Sequence, residues 1–137
     1  MIKILLADDY VPFRQVLEDF LETANPRLKV MGRATNGKDA LYIAECSPID
    51  VAVIDIRMPI MDGLELTRRL KHMLGNSLSI ITYTGLRSVL LKEQVLRAGA
   101  DLHLIKPLEL FGLKNAVTHL AESKRKIKPD DQASSVG

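Results

Sequence analysis

The chain lacks the residues that mark secreted, membrane or nucleic-acid-binding proteins. Its 137 residues include one cysteine, Cys46, so no disulfide can form within the chain. No apolar run is long enough to cross a membrane as a helix, and Asp8 and Asp9 interrupt the first run, so the N-terminus lacks a signal-peptide pattern. The net charge of +2 is too small to indicate nucleic-acid binding by itself. We therefore expect a protein of the reducing cytoplasm that binds neither membrane nor nucleic acid directly.

Aromatic residues are also scarce, at 4% with no tryptophan, whereas 47% of the chain is hydrophobic, so any core is largely aliphatic. The length fits one domain. We place this domain at residues 1–122 and a flexible basic and polar tail, or a truncated linker, at residues 123–137. That last stretch carries proline, serine and charge without an apolar period. Its basic cluster is expected to be solvated and to interact with a helix dipole; it comprises Lys124, Arg125, Lys126 and Lys128.

Five short apolar runs alternate with segments of helical period. The runs are typical of buried parallel strands, and the segments between them are typical of amphipathic helices. Strands separated by helices require a parallel sheet with right-handed crossovers. The pattern predicts strands at 2–7, 28–34, 49–54, 78–83 and 102–105, and helices around 13–21 and at 38–46, 63–74, 88–98 and 108–122.

Polar side chains stand at the carboxyl ends of four predicted strands. Asp8 and Asp9 follow the first, Asp55 follows the third, Thr84 ends the fourth and Lys106 ends the fifth. In open α/β sheets ligands bind at this edge. Two carboxylates ~4 Å apart repel by about 4 kcal/mol at an effective dielectric near 20, so a fold that gathers three needs a partner for them. A hard divalent cation such as Mg²⁺, which prefers oxygen ligands, is the simplest partner.

With these features the chain resembles the receiver domain of two-component response regulators. The resemblance covers about residues 1–121 and rests on Asp8-Asp9, the loop from Asp55 to Gly63, Thr84-Gly85, Ala98-Gly99-Ala100 and Lys106-Pro107. It implies a flavodoxin-like α/β fold, a three-layer (βα)5 domain whose five-stranded parallel sheet has the order 2-1-3-4-5. It also implies signal transduction controlled by phosphorylation.

The resemblance assigns roles around the phosphoryl group. Asp55 is the implied phosphoacceptor, since a carboxylate can attack phosphorus to form an acyl phosphate. Lys106 would pair with the phosphoryl group, and Thr84 would donate its hydroxyl to a phosphoryl oxygen. Such a domain catalyses only its own phosphorylation and dephosphorylation, so we expect no enzyme acting on a diffusible substrate. Asp62 is expected to cap the third helix rather than to join the site.

The resemblance likewise implies a Mg²⁺ cofactor. Asp9 and Asp55 would bind the ion directly, Asp8 through a water, and the backbone carbonyl of Arg57 would add another oxygen. The expected donor is a sensor histidine kinase or a phosphotransfer protein. The expected target of the signal is a downstream effector, an output domain missing from this chain, or a second copy in a phosphorylation-linked homodimer. The surface that carries the signal would be formed by the fourth helix, fifth strand and fifth helix.

The chain departs from the receiver pattern three residues before Lys106. Receivers often carry tyrosine or phenylalanine there, and the ring turns inward when the switch threonine engages the phosphoryl group; here the residue is His103. Thr84 and His103 are therefore the predicted switch pair, with Thr84 preferred to Thr82 because it abuts Gly85. Histidine titrates at about pH 6.5. In one hypothesis, His103 therefore gives the switch a pH dependence. In the other, His103 is exposed on an edge strand and the switch is weakened.

Two other functions compete with the phosphoacceptor hypothesis. One is a module of receiver fold that docks partners independently of phosphorylation, which the complete set of site residues disfavours. The other is an aspartyl-phosphate phosphatase on a related fold. Such an enzyme requires a general acid two residues after its nucleophile, and that position holds Arg57.

Overall fold

The computed structural model describes residues 1–126, which form a five-stranded parallel sheet with helices on both faces. Its strand order, β2-β1-β3-β4-β5, confirms the predicted order and the flavodoxin-like fold. None of the helices described is long and apolar enough to cross a membrane. The strands are Ile2–Ala7 (β1), Leu28–Ala34 (β2), Val51–Asp55 (β3), Ser79–Thr84 (β4) and Leu102–Ile105 (β5). The helices are Val11–Ala24 (α1), Gly37–Cys46 (α2), Gly63–Leu74 (α3), Val89–Ala98 (α4) and Leu110–Lys126 (α5), with a short 3-10 turn at Gly75–Ser77.

The burial of each strand follows its place in the sheet. The edge strand β2 alternates strictly between buried and exposed residues, whereas every residue of the central strand β3 is buried. A strand covered by helices on both faces must be apolar throughout, which is why the run before Asp55 shows no alternation. Asp55 can be a carboxylate within this buried strand because it is the last residue of β3 and lies at the rim of the sheet.

The two faces of the sheet carry separate cores. The first core lies under α1 and α5 and includes Leu17, Leu21, Leu113 and Val117. The second lies under α2, α3 and α4 and includes Leu66, Leu70 and Val95. Since successive residues of a strand point to opposite faces, neighbouring residues at a strand end belong to different sides of the molecule.

Side-chain caps fix where three helices begin. The carboxylate of Asp62 accepts a hydrogen bond from the backbone N–H of Glu65 at 2.9 Å, as expected for the residue that caps α3. Asn36 caps α2 through the N–H of Asp39, and Ser88 caps α4 through the N–H of Leu91. Ser88, predicted as the first helical residue, therefore lies just before the helix.

The fifth helix differs from its predicted bounds at both ends. It begins at Leu110 rather than at residue 108, because the Glu109 carboxylate accepts hydrogen bonds from the N–H groups of Phe111 and Gly112 and so precedes the helix. It continues to Lys126, beyond the boundary predicted at residue 122. The predicted tail from residue 127 onward, with Lys128 of the basic cluster, lies outside the described residues.

Candidate functional site

Strand register brings the three acids together at the carboxyl edge of the sheet. Ala7, the last residue of β1, pairs with Ile54 of β3, so the next residue of each strand, Asp8 and Asp55, lies at the same level. Carboxylate oxygens of Asp8, Asp9 and Asp55 lie within 4.8 Å of one another. Asp8 is 1% exposed and Asp55 6%, whereas Asp9 is exposed. The convergence expected from strand ends is therefore present.

The electrostatics of this cluster disfavour the ionised form of Asp55. Burial, followed by the charge of Asp8, raises the pKa of Asp55 from its ordinary value of 3.8 to about 6. Two groups oppose the increase: Lys106 attracts the carboxylate, and the backbone N–H of Arg57 donates to Asp55 Oδ1 at 3.3 Å. An all-oxygen, anionic donor set of this kind fits a hard ion such as Mg²⁺.

The loop after Asp55 is held against that residue by a close backbone approach. The N–H of Gly63 donates to the carbonyl of Ile56 at 2.8 Å. A Cβ atom added to Gly63 would lie 2.5 Å from the backbone oxygen of Asp55, so the approach requires glycine. Together with the Asp62 cap, this contact fixes the start of α3 beside the acids. The carbonyl of Arg57 belongs to the same loop, and its role as a metal ligand stays a prediction.

Lys106 extends from the end of β5 to the acids. Its backbone N–H donates to the carbonyl of Thr84 at 2.8 Å, which aligns the ends of β4 and β5. Its ammonium Nζ lies 4.0 Å from Asp55 Oδ2, and 5.2 and 5.3 Å from the ring centroids of Phe13 and Tyr83. The cation thus sits between one carboxylate and two aromatic faces, which attract it electrostatically.

Thr84 occupies the other face of the sheet from Asp55. It is the last residue of β4, pairs with Ile105 and is 1% exposed. Its Oγ1 accepts a hydrogen bond from the N–H of Leu86 at 3.2 Å. Because the hydroxyl acts as the acceptor in this contact, its proton is available for another acceptor. Its proposed contact with a phosphoryl group stays a prediction.

His103 is buried, 6% exposed, unlike the exposed histidine of the weakened-switch hypothesis. Its Nδ1 lies 2.8 Å from Oγ1 of Thr82, its partner in the β4–β5 register, and its buried Nε2 has no hydrogen-bond partner among residues 1–126. Burial, with a smaller contribution from the charge of Lys92, lowers the pKa of His103 below its ordinary value of 6.5. Thr82, rejected as the switch threonine, therefore positions the predicted switch histidine instead.

Two aromatic residues at the site were missed by the sequence reading. Tyr83 donates its hydroxyl to Asp8 Oδ2 at 2.6 Å, and its ring meets Phe13 edge-on with centroids 6.0 Å apart. Strand alternation contained a signal for Tyr83, since the residue before Thr84 must point to the opposite face, where Asp55 lies. Nothing in the pattern of α1 distinguished Phe13 from an ordinary core residue.

Comparisons with known proteins agree on one family. The sequence model described as "Response regulator receiver domain" matches residues 4–118. The chain is 36% identical over 125 residues to the sensor histidine kinase RcsC of Escherichia coli (strain K12), covering 91% of this chain. It is 34% identical over 134 residues to the response regulator MprA of Mycobacterium leprae (strain TN), covering 98% of this chain.

A solved structure has the same fold. The signal receiver domain of the putative response regulator NarL from Mycobacterium tuberculosis superposes with a TM-score of 0.81 at 25% identity, covering 88% of this chain and 96% of that one. The curated relatives are longer than this chain, which spans 13% of RcsC and 56% of MprA. The similarity therefore concerns one domain of those proteins.

Proposed function

Because the chain belongs to the response regulator receiver domain family of two-component signalling, we propose that Asp55 accepts a phosphoryl group. The donor is a histidine kinase or a phosphotransfer protein, or a small phosphodonor in vitro. The observation that carries the proposal is the position of Lys106 Nζ, 4.0 Å from Asp55 Oδ2, beside the cluster of three carboxylates. An acceptor carboxylate, a cation for the incoming phosphoryl oxygens and a set of hard-metal ligands are thus within a few ångströms.

In the proposed reaction, an oxygen of the Asp55 carboxylate attacks phosphorus and forms an acyl phosphate. The phosphorus–nitrogen bond of the donor's phosphohistidine breaks, and the electron pair and a proton stay with the imidazole. Lys106 pairs with a phosphoryl oxygen. Thr84 donates a hydrogen bond from its hydroxyl to another phosphoryl oxygen, because its contact with the N–H of Leu86 leaves the hydroxyl hydrogen available. Hydrolysis by water reverses the modification, so the domain acts only on its own phosphoryl group.

The three acids are proposed to hold Mg²⁺. Asp9 and Asp55 would bind the ion directly and Asp8 through a water, with the carbonyl of Arg57 as a further ligand. When bound, the ion would offset the charge of the carboxylates and of the incoming phosphoryl group. The raised pKa of Asp55, about 6, supports this assignment, because burial and the charge of Asp8 both disfavour its ionised form and a bound cation would favour it.

The signal is proposed to leave through α4, β5 and α5. Thr84 and His103 lie on the face of the sheet that α4 covers, and α4 buries only Val95 of its own residues. Its residues Val89 and Leu90 are 77% and 65% exposed, an apolar surface suited to a downstream partner or a second copy. A movement of Thr84 towards the phosphoryl group would alter the packing of His103 and shift this surface.

The proposal is tested by incubating the protein with acetyl phosphate and MgCl2 and recording its intact mass. The wild type should gain the mass of one HPO3 group, and Asp55→Asn should gain none. Asp62→Asn is the matched control: it removes a carboxylate from the same loop but keeps a capping side chain on α3, so it should be labelled like the wild type. Omission of Mg²⁺ with excess chelator should prevent labelling.

Absence of labelling in a folded wild-type protein would contradict the proposal and favour the module that docks independently of phosphorylation. Labelling of Asp55→Asn would place the acceptor elsewhere. The expected location in the cytoplasm, where such donors act, stays a prediction.

A further inference from the structure

Tyr83 contacts both an acid and the lysine of the site, Asp8 through its hydroxyl and Lys106 through its ring. It lies at the end of β4 in register with Asp55, is 1% exposed, and donates its hydroxyl to Asp8 Oδ2 at 2.6 Å. We infer that Tyr83 is a positioning residue for Mg²⁺, acting through its hydroxyl on Asp8 and through its ring on Lys106. This inference rests on the proposed function of the acids as the metal site.

The hydroxyl contact completes the hydrogen bonding of a carboxylate that is almost wholly buried. Asp8 Oδ1 accepts from the backbone N–H of Tyr10 at 2.9 Å, and Oδ2 accepts from Tyr83. An ionised carboxylate offers about four acceptor positions. The two donors therefore hold Asp8 in one orientation while leaving acceptor capacity on both oxygens for a metal-bound water. Such outer partners of metal ligands commonly contribute 10–100-fold, in order of magnitude, to metal affinity.

The direction of this hydrogen bond suits an acidic cluster. The Tyr83 hydroxyl donates to Asp8 Oδ2, because an ionised carboxylate can only accept. The donated hydrogen bond opposes the repulsion that Asp8 experiences from Asp55 and Asp9, whose carboxylate oxygens lie within 4.8 Å.

The ring has a separate contact. Lys106 Nζ lies 5.3 Å from the centroid of Tyr83 and 5.2 Å from that of Phe13, and the two rings pack edge to face. The rings confine the ammonium group to the side of the pocket where Asp55 Oδ2 lies 4.0 Å away. Loss of the hydroxyl should therefore weaken Mg²⁺ binding. Loss of the ring as well should also weaken the pairing of Lys106 with the phosphoryl group.

Two variants separate these contributions. Tyr83→Phe removes the hydroxyl and keeps the ring, whereas Tyr83→Leu removes both. We would measure Mg²⁺ affinity of the unphosphorylated protein by isothermal titration calorimetry, and the rate of acetyl phosphate labelling across a Mg²⁺ series. Tyr83→Phe should bind Mg²⁺ about 10-fold more weakly, and its labelling rate should be restored progressively by added Mg²⁺. Tyr83→Leu should lose as much affinity and also keep a lower labelling rate when Mg²⁺ saturates.

Matched controls separate positioning from a general loss of structure. Tyr42→Phe removes the hydroxyl of a tyrosine that is 66% exposed and should bind Mg²⁺ like the wild type. In an Asp8→Asn background, Tyr83→Phe should cause no further loss of Mg²⁺ affinity, because its effect passes through Asp8. This double-variant comparison also answers the question if Tyr83→Phe alone folds poorly, because Asp8→Asn removes the buried charge that the missing hydroxyl would leave without its donor.

Equal Mg²⁺ affinities of the wild type and Tyr83→Phe would overturn the inference, as would an undiminished effect of Tyr83→Phe in the Asp8→Asn background. A wild-type protein that binds no Mg²⁺ would instead overturn the proposed metal site itself. A wild type that binds Mg²⁺ but is never phosphorylated would contradict the proposed function and leave the role of Tyr83 standing.

Discussion

The acidic pocket and the α4 side of the sheet are built from adjacent residues of the same strands, yet they are held very differently. In the pocket, Asp8 accepts two hydrogen bonds and Gly63 packs directly against the backbone of Asp55. On the other side, Val95 is the only buried residue of α4 itself, and the buried Nε2 of His103 finds no hydrogen-bond partner in the part of the chain that the structure describes.

This difference separates the acidic pocket, where the proposed phosphorylation takes place, from the α4 side, which can change conformation in response. Chemistry at Asp55 requires atoms held in fixed positions. A conformational response requires an element with few buried contacts, because such an element can move at a small cost in free energy. The neighbouring residues Tyr83 and Thr84 face opposite sides of the sheet and so link the fixed region to the adaptable one.

The same substitution in the two loops should have the largest contrasting effects. Gly63→Ala places a Cβ atom 2.5 Å from the backbone oxygen of Asp55, whereas Gly85→Ala, in the loop that leads to α4, adds a Cβ that meets no atom of the described residues within 4 Å. Gly63→Ala should lower the free energy of unfolding by roughly 1–3 kcal/mol and weaken Mg²⁺ binding. Gly85→Ala should change stability by less than about 0.5 kcal/mol. Urea denaturation of both variants measures the contrast, and equal losses would show that the two loops are held alike.

Removing one charge from the pocket should stabilise the metal-free protein. The pKa of Asp55 is raised to about 6, so the folded state binds a proton more tightly than the unfolded state. Stability is therefore lost as pH rises from about 4 through 6 and stays lower above that range. At about pH 7.5, Asp55→Asn should raise the free energy of unfolding by roughly 1–3 kcal/mol.

Added Mg²⁺ should reverse this order, because it stabilises the wild type and not Asp55→Asn. Thermal unfolding with chelator and with MgCl2 tests both expectations. A metal-free Asp55→Asn protein that is less stable than the wild type would show that burial and repulsion do not destabilise the ionised Asp55 in the folded state.

The α4 side should show the smallest effect, a pH dependence due to His103. Burial lowers the pKa of His103 below 6.5, so the unfolded state binds the proton more tightly, and the contribution of the neutral ring is lost as pH falls through and below that value. The charge of Lys92 disfavours protonation of the ring, and Thr82 Oγ1 lies 2.8 Å from its Nδ1.

We expect phosphorylation to strengthen partner binding or dimerisation less at about pH 6 than at about pH 8. His103→Phe, which carries no titrating group, should remove this difference. An NMR titration of the imidazole measures the pKa directly. An equal response to phosphorylation at both pH values would leave His103 as a packing residue only.

Much of the fold was predictable because each strand and helix carries its own local signal. The apolar runs before Asp8 and Asp55 mark buried strands, and Asp62 marks the start of α3 through the capping hydrogen bond that it accepts from Glu65. The end of α5 was not predictable, because residues beyond 122 carry no apolar period, yet the helix continues to Lys126. A polar last turn has no packing pattern from which its length can be read.

The amino-acid sequence is enough to predict the order of strands and helices along the chain, and the acids and lysine at one edge of the sheet, because strand ends and apolar periods are local properties. Three contacts emerge only in the folded chain: Tyr83 bonds Asp8, Lys106 lies between two rings and Asp55, and His103 is buried against Thr82. These contacts join residues distant in the chain, and sheet register and packing across the two faces, rather than any local pattern, set their distances.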